Sequence, residues 1–144
     1  MAKLELEKFL PYRLNRLASI VSGEFRSVYG PHHDLTIPEW RVLATLGQFD
    51  EMGARAIGVH SAMHKTKVSR AVKALEDRRW LRRRGSDEDR REEILSLTAP
   101  GRRAYDDIVP RALAFERRIL AAIDADADAE DVLLLLTRLE RVFS

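Results

Sequence analysis

The residues best suited to chemistry lie in one run, His64-Lys65-Thr66-Lys67-Val68-Ser69-Arg70-Ala71-Val72-Lys73-Ala74-Leu75. Lys65, Lys67, Arg70 and Lys73 offer cations, Thr66 and Ser69 offer hydroxyls, and no carboxylate follows until Glu76. Cations of this kind hold phosphates, and short polar side chains reach the edges of bases. The same run must be a helix, because Val68, Ala71, Val72 and Leu75 fall at i, i+3, i+4 and i+7. That apolar stripe is narrow and built of small or β-branched residues. A helix so made packs closely along one seam and leaves most of its girth exposed, as a helix laid in the major groove requires. An ordinary solvated helix face is the alternative that this run alone leaves open.

The flanking elements decide between the two. Gly53 precedes a short helix over 54–61 with Ile57 inward, a break follows at Ala62-Met63, and the basic helix begins at His64. Two short helices joined by a tight turn, the second one basic, form a helix-turn-helix. Glu76-Asp77-Arg78-Arg79-Trp80-Leu81 closes the helix and opens a strand. Arg82-Arg83-Arg84 and Ile94-Leu95-Ser96-Leu97 then flank the charged segment 85–91, with apolar anchors only at the base, which predicts a β-hairpin. A hairpin directly after a helix-turn-helix is a wing. The wing accounts for the arginines better than a solvated charge run does, since a solvated hairpin needs no excess of one sign.

Charge supports the same assignment. The whole chain carries a net +2, yet residues 55–91 hold 12 Lys/Arg against 5 Asp/Glu, a local +7 that leaves −5 for the remainder. Such a split points to a polyanion-binding segment on a neutral-to-acidic frame. The 144 residues suffice for one domain, or one protomer of an oligomer, and the 45% hydrophobic and 33% charged composition is that of a folded, helix-prone protein. There is no cysteine, hence no disulfide framework, thiolate zinc site or thiol switch. The start lacks the apolar core of a signal peptide and no run reaches membrane-spanning length, so a cytoplasmic protein is expected.

The chain ends supply the frame. Leu10, Leu14, Leu17, Val21, Phe25 and Val28 predict a long helix over 11–29, stopped at Gly30-Pro31. His32-His33-Asp34 follows as a polar loop, because adjacent histidines diverge and no third metal ligand has a natural spacing. Thr36 and Glu39 form a capping box for a helix to residue 48, with Trp40, Leu43, Ala44 and Leu46 inward. Thr98 caps a helix that runs to residue 123 and bends at Pro110. Residues 124–128 resemble the start of a calcium loop, but Ala129 and Leu135 stand where that motif needs glycine and glutamate, so a capping linker is expected. The last helix, over 132–143, contains the unbroken Val132-Leu133-Leu134-Leu135-Leu136, too apolar for one buried side. Terminal helices with surplus apolar surface suggest a shared interface in a two-fold dimer, with an intramolecular core as the alternative.

Together these residues resemble the MarR family of bacterial transcriptional regulators over nearly the whole chain. The resemblance rests on Leu35-Thr36-Ile37-Pro38-Glu39-Trp40-Arg41-Val42-Leu43, on Lys65-Thr66-Lys67-Val68-Ser69-Arg70, and on Asp89-Arg90-Arg91 followed by Leu97-Thr98. It implies a mainly α fold with a small β-hairpin wing: a winged helix-turn-helix over 35–109, with 1–34 and 110–144 as dimerisation helices of a triangular homodimer. It also implies a palindromic double-stranded operator and relief of repression by a small, often aromatic or anionic, effector. Carried over to this chain, Lys65, Thr66, Lys67, Ser69, Arg70 and Lys73 would face the major groove. Asp89 would hold Arg91, beside Arg90, for insertion into the minor groove. The effector cleft would draw on Tyr12, Arg16, Ser19, Trp40 and Arg41, although core packing accounts for Trp40 equally well. An arginine there suits a carboxylate or phosphate, hence an anionic aromatic compound or its thioester. The chain departs from the family's thiol-based peroxide sensors in having no cysteine, and His64 stands where many relatives carry aspartate.

Two other classes compete with this reading. A basic architectural protein would coat DNA without a preferred site, against which the capped, discrete recognition helix argues. An enzyme would need a nucleophile or ligand set, and no glycine-rich phosphate loop, His-Glu metal pair or Ser-His-Asp arrangement is legible. No cofactor or metal is expected. The four histidines, His32, His33, His60 and His64, are expected as plain solvated side chains.

Overall fold

A computed structural model of the protein describes residues 1–86, 92–123 and 128–144. Six helices and a three-stranded sheet follow in the order α1 (Leu10–His33), α2 (Ile37–Phe49), β1 (Glu51–Gly53), α3 (Ala54–Ser61), α4 (Lys65–Asp77), β2 (Leu81–Gly85), β3 (Glu93–Leu97), α5 (Ala99–Ile123) and α6 (Ala129–Glu140). The architecture is the expected one: mainly helical, with a helix-turn-helix and a wing.

The core forms where the apolar spacings of several elements converge. Leu43 and Leu46 of α2, Ile57 of α3, Leu75 of α4, Leu95 of β3 and Ile108 of α5 are fully buried together with Tyr29 and Leu35. Thr36 starts α2 as its composition demands: the Thr36 hydroxyl accepts from the Glu39 amide at 3.3 Å, and the Glu39 carboxylate accepts from the Thr36 amide at 2.8 Å. Each end of that box satisfies an amide that the first turn leaves without a partner.

The termination of α1 departs from expectation. The helix passes through Gly30 and Pro31, takes in His32 and His33, and ends only at Asp34, which adopts the left-handed conformation. Gly-Pro breaks an isolated helix, but here other elements hold the last turn. Arg78 donates to the carbonyl oxygens of His33 and Asp34, filling acceptors that the helix end exposes. His33 Nε2 meets Asp107 Oδ2 at 2.9 Å, its ring packs edge-on against Trp80, and His32 Nε2 lies 3.0 Å from Arg111. The histidine pair is therefore a tie between α1 and α5, not a solvated loop.

The sheet also holds a strand that composition could not announce. Glu51-Met52-Gly53 has no strand propensity, yet it pairs antiparallel with β3, Met52 opposite Leu95, on the side away from β2. The wing thus rests on a third strand at its base. Beyond it, α5 runs unbroken through Pro110, whose ring faces outward. Gly101, in the first turn of α5, sits so close to the Trp80 carbonyl that any Cβ would overlap it. That contact seats the long helix on the turn between α4 and β2. The last helix begins three residues earlier than its apolar run suggested, because Asp128 accepts from the Glu130 amide at 2.9 Å, and it ends at Glu140, ahead of the exposed Val142 and Phe143.

Candidate functional site

The amphipathic division of α4 is as sharp in space as in sequence. Val68, Ala71, Val72 and Leu75 are at most 3% exposed, whereas Lys65, Thr66, Lys67, Ser69, Arg70 and Lys73 are all exposed. Burial of such valine and leucine side chains contributes roughly 1.5–3 kcal/mol each, so the seam alone holds the helix in place. The polar face is then free of any structural duty. Lys65, Lys67 and Arg70 form no ion pair with any described residue, while Lys73 meets Asp77 at 2.7 Å. Three unneutralised cations on one helix make a surface that attracts polyanions.

The helix is started by His64. Its Nδ1 accepts from the Thr66 amide at 3.2 Å, the duty a capping aspartate performs elsewhere. The tight turn before it depends on Ala62, held left-handed at φ 52°, and on the Met63 amide, which donates to the Gly58 carbonyl at 2.9 Å. His60 is exposed, as expected, with its ring edge-on to Phe49 at 5.0 Å.

The wing arginines differ from their expected part. Arg83 is bound by Glu76 and Glu93 at 2.6 and 2.8 Å, and Arg84 by Glu51 at 2.8 Å. These two are partly spent on fastening the hairpin, so the surplus of seven charges overstates what faces outward. Asp89, Arg90 and Arg91 lie outside the described residues.

A second site opens between the helix-turn-helix lobe and the long helices. A cavity of about 330 Å³ is walled by Val21, Phe25 and Tyr29 of α1, Trp40 and Arg41 of α2, and Phe115 of α5, among others. Its aromatic wall is continuous: the Phe25 ring lies 5.0 Å from Tyr29, 5.4 Å from Trp40 and 5.2 Å from Phe115, and Tyr29 stacks on Trp40 at 5.5 Å. Of the residues anticipated here, the structure brings in Trp40 and Arg41. Tyr12, Arg16 and Ser19 stand outside this lining; Arg16 borders a separate small groove with Leu14 and Leu17. For Tyr12 the reason is reach along the helix: it precedes Val21, which lines the cavity, by nine residues, about 13 Å at 1.5 Å per residue.

Tyr29 was missed and is the most unusual group in the cleft. It is fully buried, and its hydroxyl is a buried polar atom without a hydrogen-bond partner among the described residues. Burial pushes its phenol up to about 12, so the group stays a neutral donor. Phe25 and Tyr29 share a helix face at i, i+4, a signal legible in sequence. That Trp40 and Phe115 would join them was not.

Comparison with known proteins agrees with this architecture. The model of the MarR family matches residues 33–92. The HTH-type transcriptional regulator YwoH of Bacillus subtilis (strain 168) is 28% identical over 125 residues, covering 86% of this chain and 90% of its own. The MarR family transcriptional regulator SPO1453 from Silicibacter pomeroyi DSS-3 is 30% identical, with 99% of this chain and 100% of that one aligned at a TM-score of 0.82. BpsR of Bordetella bronchiseptica, whose DNA binding is regulated by 6-hydroxynicotinic acid, aligns over 99% of both chains at a TM-score of 0.79 and 17% identity, a likeness of fold alone. None of the described helices is long and apolar enough to cross a membrane. An exposed helix with three cations unpaired among the described residues, on a winged frame, and relatives of this kind over nearly the full length, lead to one conclusion: the chain belongs to the MarR family, and it is a DNA-binding transcriptional regulator and not an enzyme.

Proposed function

We propose that the protein is a homodimeric repressor that reads a palindromic operator and releases it on binding a small aromatic anion. The observation that carries the proposal is the face of α4, on which Lys65, Lys67 and Arg70 stand exposed and unpaired among the described residues beside Thr66 and Ser69. Cations on that face engage phosphates, while Arg70, one turn further in, donates to guanine. Lys73 joins them once DNA competes with Asp77. Asp89 orients Arg91, beside Arg90, for the minor groove, where arginine is favoured because its guanidinium sheds water more readily than an ammonium.

Dimerisation through residues 1–34 and 110–144, with 35–109 as the DNA-binding lobe, is supported by uncovered apolar surface. Leu10 and Leu17 of α1 are 52% and 57% exposed, and no residue of α6 is buried, despite its run of four leucines. A second protomer covers this surface and sets two recognition helices about 34–36 Å apart, one turn of DNA.

The cleft is the effector site. Arg41 offers a carboxylate partner at the rim, and Trp40 and Phe25 offer ring faces backed by the buried Tyr29. A ligand there touches α1, α2 and α5 together, and so biases the angle between lobe and dimerisation helices. That BpsR responds to 6-hydroxynicotinic acid accords with an aromatic carboxylate.

Duplexes selected from a random pool by the wild-type protein test the DNA assignment. Lys65→Ala should weaken all sequences alike and reduce the log–log salt slope by about 0.9. Arg70→Ala should instead relax preference at one base pair. Equal competition by unrelated DNA at all salt concentrations would show sequence-independent coating and sink the proposal.

A further inference from the structure

We infer that Arg83 is a positioning residue for DNA binding, a brace that sets the angle of the wing against the recognition helix. The inference rests on the assignment of α4 and the wing as the DNA-contacting elements. Arg83 lies in the middle of β2, opposite Leu95 of β3. Its Nε donates to Glu76 Oε2 at 2.6 Å, in the last turn of α4, and its Nη1 donates to Glu93 Oε2 at 2.8 Å, the first residue of β3. One planar guanidinium therefore ties the recognition helix to both strands of the hairpin. Its two N–H directions are rigidly related, so it restrains orientation as well as distance, which a lysine cannot do.

Apolar packing does not supply that restraint. In β2 only Leu81 is buried, and the next four residues are exposed; in β3 only Leu95 is. The hairpin is thus held on the β1 side, by the β1–β3 ladder and the Arg84–Glu51 pair, while toward the last turn of α4 its polar tie is Arg83. A strand of five residues is about 17 Å long, so a tilt of about 10° at the base moves its far end by about 3 Å. That is enough to lift a side chain out of hydrogen-bonding reach of a groove while α4 remains seated in the next one.

The charges exclude the simpler view of Arg83 as a DNA-attracting cation. Arg83 with Glu76 and Glu93 sums to −1, placed between two elements that approach phosphates. The three side chains are 37%, 35% and 52% exposed, and ion pairs so wetted contribute little to stability. Two carboxylates that repel DNA and scarcely stabilise the fold are accounted for by the geometry they impose.

This sets the sign of the test. Glu76→Gln and Glu93→Gln each raise the net charge by one, so surface electrostatics demands tighter binding. The brace demands weaker binding. Affinity for the duplex selected by the wild-type protein is measured by fluorescence anisotropy across a salt series, with melting temperature recorded for each variant. Each glutamine variant should lose roughly 5- to 20-fold in affinity with an unchanged melting temperature, Arg83→Gln should lose as much with an unchanged salt slope, and Glu93→Gln added to Arg83→Gln should cost nothing more. Binding as tight as wild type, or tighter, in both glutamine variants overturns the brace. So does a salt slope reduced by about 0.9 in Arg83→Gln, the mark of a direct phosphate contact. Lys65→Ala in the same series separates the two levels: if it too leaves affinity and slope unaltered, the DNA face itself is misassigned and the brace falls with it.

Discussion

Replacing Tyr29 by Phe should make the protein more stable. The side chain is fully buried and its hydroxyl lacks a partner, so the folded protein bears the cost of taking a polar group out of water with no bond in return. That cost is about 1–3 kcal/mol. Removing the oxygen leaves a void of about 10 Å³, worth roughly 0.2 kcal/mol at 24 cal/mol per Å³, so the gain prevails. For a chain of this size 1 kcal/mol corresponds to about 2–4 °C, and Tyr29→Phe should melt roughly 3–8 °C higher at equal protein concentration. A second signature lies in the pH dependence. The folded phenol titrates at about 12 and an unfolded one near 10, so the neutral form is the one the fold prefers. Wild-type stability relative to the variant is constant below pH ~10 and falls as pH rises toward 12. Circular-dichroism melts at pH 7 and from pH 9 to 12 measure both. Titration of tryptophan fluorescence with 6-hydroxynicotinate or salicylate is the control: because the hydroxyl is sealed from the cleft, the variant should bind these anions as wild type does. A variant less stable than wild type at pH 7 would refute the reasoning, since it would mean that the hydroxyl already has a partner.

Two further outcomes follow from particular contacts. Gly101→Ala pushes a Cβ into the Trp80 carbonyl, a backbone atom fixed by the Thr98 amide at 2.9 Å, so it should lower stability by about 1–3 kcal/mol in chemical denaturation with an unchanged m value. Asp107 is held below the usual carboxylate range, chiefly by its hydrogen bond from His33. Its contribution is therefore present above the unfolded pKa of about 3.9 and lost as pH falls through the folded value, and Asp107→Asn should erase the difference from wild type below that window in acid melts.

Much of this molecule is legible in its sequence. The period of Val68, Ala71, Val72 and Leu75, the Thr36–Glu39 box, the Thr98 start of α5 and the anchored hairpin are local patterns, read over a turn or two of chain, and local physics decides them. The same holds for the placing of Lys65, Lys67 and Arg70 on a solvent face: once the apolar stripe is buried, the cations have nowhere else to go. Where expectation and structure part, the missing information is distance in space. Gly30-Pro31 ought to end a helix, but Arg78, forty-five residues after His33, caps the carbonyls beyond it. Three residues without strand propensity form β1 because β3 lies alongside with free backbone groups. Arg83 and Arg84 look like charge offered to a ligand until Glu76, Glu93 and Glu51 are found against them. The cleft is the extreme case. Phe25 and Tyr29 announce a shared face, but their enclosure with Trp40 and Phe115, and the stranding of one hydroxyl among them, exist only when three helices meet. Side-chain periodicity states which residues turn inward; it carries no record of which inward faces meet one another, and that meeting is what makes a ligand site.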